Sequence, residues 1–102
     1  MRLSNFEIDT INRLAGKYFG NNVQVYLFGS RTNPNLRGGD IDLFISGENN
    51  KMFNLKTKIM FLADLKTNIG DQKIDLVFDT EATKAKPAFY QSINKSKIVL
   101  KC

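Results

Sequence analysis

Asp40-Ile41-Asp42-Leu43-Phe44-Ile45 reads as a β-strand that begins on two carboxylates. Side chains alternate along a strand, so Asp42 and Phe44 take one face and Ile41, Leu43 and Ile45 the other. Asp40 and Asp42 point the same way, about 6.5–7 Å apart. Two carboxylates on one face repel unless a cation sits between them. A second β-type run, Val23 to Phe28, stops at Gly29-Ser30. A third, Lys73-Ile74-Asp75-Leu76-Val77-Phe78, places Asp75 among apolar neighbours, where a charge is costly unless solvated, paired or metal-bound.

Helical patterns separate these runs. Residues 5–19 carry Phe6, Ile8, Ile11, Leu14, Ala15, Tyr18 and Phe19 at three- and four-residue spacing, with Ser4 or Asn5 as cap and a stop at Gly20. Residues 51–68 predict a helix with Met52, Leu55, Ile59, Leu62 and Leu65 on one stripe, widened by Phe61 and Ala63. Pro87 suits the first turn of a short final helix, and Ile98-Val99-Leu100 a closing strand or plug. Ser30–Asn33 can start a helical turn before the loop Asn33 to Gly39. The expected class is therefore α/β (α+β): one domain over 1–102, with a small mixed β-sheet flanked by helices and covered mainly on one face.

The chain contains no histidine, which removes imidazole chemistry and His-bound metals. A metal here is a hard cation held by oxygens, such as Mg²⁺. Cys102 is the single cysteine, so no intrachain disulfide forms and a reducing cytoplasm is expected. No apolar run reaches the roughly 18–20 residues of a membrane span, and no signal-peptide core follows Met1. The net charge of +5 fits a lysine-rich surface; it also admits polyanions, and direct nucleic-acid binding ranks last among the readings.

Taken singly, Gly-Ser after a strand is a turn, Asp-x-Asp a capping pattern and Asp75 a solubility charge. Together they make a site. Asp40, Asp42 and Asp75 can hold two metals about 3.5–4 Å apart, the arrangement of phosphoryl and nucleotidyl transfer. Asp75 is placed to deprotonate the incoming nucleophile. Gly29 lets backbone approach a ligand, and Ser30 and Arg31 offer donors to phosphate, with Arg37 as a further candidate. Phe28, Phe44 and Phe61 are expected in the core, Lys56, Lys58 and Lys66 on a solvated helix face. Phe89 with Tyr90 reads as packing before a base-stacking platform.

Gly29-Ser30-Arg31, Asp40-Ile41-Asp42-Leu43 and Lys73-Ile74-Asp75-Leu76 resemble the DNA polymerase β-like nucleotidyltransferase superfamily, most closely its minimal nucleotidyltransferase (MNT) branch. The resemblance spans about half the chain, Val23 to Phe78. It implies the polymerase β-like fold, a triphosphate on Gly29 and Ser30, and two Mg²⁺ on Asp40, Asp42 and Asp75. It further implies AMP transfer from ATP to a small helical HEPN-type protein, with this chain as the antitoxin of a toxin–antitoxin pair, in homo- or hetero-oligomeric form. Inactive members also exist, so the alternative is a catalytically idle subunit that binds nucleotide or neutralises its partner by contact. Thr32, Asn33, Pro34 and Gly39 depart from the family pattern.

Overall fold

The computed structural model describes residues 3–29, 40–48 and 51–100. Helix α1 (Asn5–Phe19) leads into β1 (Gln24–Phe28). Then come β2 (Ile41–Ser46), α2 (Leu55–Ile69), β3 (Ile74–Phe78), the single turn α3 (Glu81–Lys84), α4 (Pro87–Ser96) and β4 (Ile98–Val99). The strands form one mixed sheet in the order β3-β2-β1-β4. β1 runs antiparallel to both β2 and β4; β2 and β3 are parallel, joined through α2. Among the described residues, no helix is long and apolar enough to cross a membrane.

The core follows from strand alternation. Val25, Leu27, Ile41, Leu43, Ile45, Ile74 and Leu76 point to one face and are buried under Ile8, Ile11, Leu14 and Phe19 of α1 and Phe61 and Leu65 of α2. The helices are tied to each other at Asp64. Its carboxylate accepts from the Tyr18 hydroxyl at 2.8 Å and the Lys17 ammonium at 3.1 Å. Those two hydrogen bonds, Tyr18's first, hold the Asp64 carboxyl below its ordinary range. At the start of α1, Ser4 and Glu7 form a reciprocal capping box.

The opposite face is partly covered too, by α4. Phe44 is fully buried, with its ring 6.2 Å from that of Tyr90. Ile93 is buried beside this layer, and the Lys97 ammonium lies 4.4 Å from the Tyr26 ring centre.

The second helix departs from its expected form. It starts at Leu55, where the Asn54 side chain accepts from the Thr57 amide at 2.9 Å. Its buried stripe is Thr57, Phe61 and Leu65, while Met52, Leu55 and Ile59 are exposed. Residues four apart stack on one helix face, and Phe61, the largest of them, sets which face turns inward. Phe6, expected on the inner face of the first helix, is likewise exposed.

Candidate active site

β1 ends where antiparallel β2 begins, so Gly29 is delivered to the same end of the sheet as Asp40 and Asp42. Parallel pairing then sets Asp75 of β3 directly beside Asp42, their Cα atoms in register. Neighbouring strands lie about 4.8 Å apart, so the two carboxylates share one face and one neighbourhood.

Gly29 has φ +78°, in the left-handed region that favours glycine. A Cβ at this position would collide with the Asp42 carboxylate. The turn after β1 is thus pressed against the central carboxylate of the site, and only a residue without a side chain fits there.

The Asp42 carboxyl is raised above the ordinary carboxylate range. Burial is the largest cause, followed by the charges of Asp75 and Asp40; Lys73 opposes them. The remaining two aspartates are more open. Asp75 is exposed, because β3 is an edge strand and not the buried strand its apolar neighbours suggest. Asp40 pairs with Lys73 at 3.3 Å. Among the described residues, no three carboxylates close around one point as a metal cluster. The arrangement is an in-register pair, Asp42 and Asp75, flanked by an ion-paired Asp40.

This donor set fits a hard divalent cation. It offers carboxylate oxygens only, and a cation would relieve the charges of Asp75 and Asp40 that add to burial in raising Asp42. Asp42 and Asp75 would hold it, with Asp40 joining on release of Lys73. Ser30, Arg31 and Arg37 lie outside the described residues, as does the helical turn expected at Ser30–Asn33.

A cleft of about 400 Å³ opens from the pair, between the sheet, α2 and α4. Phe28, Lys58 and Phe89 line it along with Asp42 and Asp75. Lys58, expected on a solvated helix face, is half-buried here. Phe28 shares the Asp42 face through the register, a parity the sequence already carried, whereas nothing in the sequence pointed to Lys58.

The burial and crowding of Asp42 have a measurable consequence. A folded carboxyl that holds its proton more tightly than the unfolded chain makes stability fall as pH rises from the unfolded pKa through the folded one, and the penalty persists above it. Asp42→Asn should therefore raise the melting temperature of the metal-free protein at pH 7. The expected gain is on the order of 0.5 kcal/mol, given the partial exposure of the carboxylate, or about 2–4 °C. It should shrink as pH falls into the carboxyl range. Thermal melts of both proteins across pH check this.

Comparison with known proteins bears on this site. The polymerase beta nucleotidyltransferase family model matches residues 10–102. No curated protein matches the chain. A crystal structure of a candidate nucleotidyltransferase from Sulfolobus solfataricus is similar over 97% of this chain and 89% of its own, at 20% identity and a TM-score of 0.45. That overlap is too loose to transfer residue roles. The family match takes in β1 and the turn after it, Asp40, and the two strands that carry Asp42 and Asp75, and by it the chain belongs to the polymerase beta nucleotidyltransferase family.

Proposed function

We propose that this protein transfers a nucleoside monophosphate, AMP from ATP, to a protein partner in a Mg²⁺-dependent reaction. The observation that carries the reading is the in-register pair Asp42 and Asp75, with Gly29 pressed against Asp42 at the same sheet end. Asp42 and Asp75, joined by Asp40, would hold the cation, and a second ion would have to share the same carboxylates. The bound cation supplies charge neutralisation to the triphosphate. Gly29, Ser30 and Arg31 bind the phosphates. Asp75, the most open of the three carboxylates, takes the proton of the acceptor hydroxyl as it attacks the α-phosphorus, and pyrophosphate leaves.

The partner in this reading is a small helical HEPN-type toxin, and the protein its antitoxin, acting in the cytoplasm. Incubation with labelled ATP, Mg²⁺ and the candidate partner tests it. The expected result is label on the partner and loss of the partner's toxicity, both abolished by Asp42→Asn. If the Asp42→Asn protein still neutralises the partner, neutralisation is by contact and the transfer reading of the antitoxin role falls.

A further inference from the structure

The cleft beside the carboxylates has an aromatic wall that the transfer chemistry does not use. Phe89, on the first turn of α4, is 42% exposed and lines the cleft beside Asp42 and Asp75. Its neighbour Tyr90 is committed elsewhere: its ring packs on Phe44 and its hydroxyl donates to Asp79 at 3.0 Å. Phe89 has one ring partner among the described residues, Phe28, at 6.4 Å and 76°. That roughly perpendicular contact holds the Phe89 ring in place while 42% of the residue stays exposed. Phe28 immediately precedes Gly29, so the aromatic wall and the phosphate turn are adjacent in the chain. Lys58 lines the same cleft, and Lys86 borders the adjoining cavity that Phe89 also lines. An exposed aromatic ring, two ammonium groups and a carboxylate pair match the parts of a nucleoside triphosphate: base, phosphates and cation.

Among the described residues lining this cleft there is no Asn, Gln, Ser or Thr. Their side chains offer no amide or hydroxyl to the edge of a base, while Thr80 and Thr83 line the adjoining cavity with Lys86. Stacking, by contrast, accepts any base, because every base has a π-face, and a two-ring purine overlaps more of the platform than a one-ring pyrimidine.

We infer that Phe89 is the platform on which the nucleobase stacks, so that the protein selects purine over pyrimidine nucleotides. The inference rests on the nucleotidyl-transfer reading above. Inorganic tripolyphosphate with Mg²⁺ separates the two, because it engages the phosphate and cation groups and has no base.

Phe89→Ala should weaken ATP and GTP binding by about tenfold or more, the scale of one lost base–aromatic stack, and leave tripolyphosphate binding unchanged. The chain has no tryptophan, so Phe89→Trp installs a single reporter at the platform. Its fluorescence should be quenched by ATP and GTP alike, less by CTP and UTP, and not by tripolyphosphate. This second variant decides the matter if Phe89→Ala does not fold. Quenching that is equal for all four nucleotides overturns the purine preference. Unchanged ATP affinity in Phe89→Ala, or ATP binding to Phe89→Trp without quenching, overturns the platform. If Phe89→Ala keeps ATP affinity but raises KM for the acceptor, the ring holds the acceptor and the inference is wrong. Tripolyphosphate that fails to bind the unaltered protein sinks the parent reading itself.

Discussion

Asp75→Asn should cut AMP transfer by about 10³-fold, within the range expected when a positioned proton acceptor is lost, while the fold stays intact. Asp75 is exposed on an edge strand, and its neighbours Ile74 and Leu76, not Asp75 itself, supply the buried contacts of β3. An isosteric amide at such a position changes stability by no more than about 0.5 kcal/mol. The informative result is therefore the split: near-normal melting with transfer lost. The same loss should follow from chelating Mg²⁺ in the unaltered protein, and addition of Mg²⁺ should restore transfer there but not in the variant. Full transfer by Asp75→Asn to the correct acceptor would remove Asp75 from the mechanism.

Gly29→Ala should destabilise the protein by about 2 kcal/mol or more. Roughly 1 kcal/mol comes from holding a residue with a Cβ at positive φ, and the rest from collision with the Asp42 carboxylate. For a domain of this size the melting temperature should fall by about 8–16 °C. Removing the obstacle isolates the second part. In the Gly29→Ala, Asp42→Ala double variant the collision is gone and the φ strain remains, so the two changes should cost less together than the sum of the singles, by on the order of 0.5–1 kcal/mol. Strict additivity in thermal melts would mean that the turn does not press on Asp42. Transfer should be lost in Gly29→Ala even at temperatures where it is folded, because the collision displaces the central carboxylate.

The strands were legible because their physics is local. Alternation of Asp42 and Phe44 against Ile41, Leu43 and Ile45 needs nothing beyond residue order, and the sheet sorts them that way. The first helix was legible for the same reason, from its 3.6-residue stripe and Ser4 cap. The second was harder. Apolar residues lie on two sides of it, and only packing decides between Leu55–Ile59 and Phe61–Leu65. Asn54 as cap carried the true start, yet Met52 invites an earlier one. The short helix Glu81–Lys84 has no periodic stripe to announce it.

The site divides in the same manner. That Asp42 and Asp75 belong together was readable from motif and parity. That Asp75 would be open depended on β3 taking the edge, and Asp40's ion pair with Lys73 arises only once β2 and β3 lie side by side. Phe89 and Lys58 meet through tertiary contacts alone, so no spacing in the sequence could have shown the cleft they line.

The parallel register of β2 and β3 also governs how the chain can misfold. A slip of one residue along β3 would turn every side chain to the opposite face. Asp75 would then enter the apolar layer beneath the two long helices, and Ile74 and Leu76 would leave it. An unpaired carboxylate in that layer and two apolar side chains returned to water make the slipped sheet costly by several kcal/mol. The Asp75 charge therefore also acts as a registration mark during folding. A chain that has assembled this sheet stably has already aligned Asp42 with Asp75.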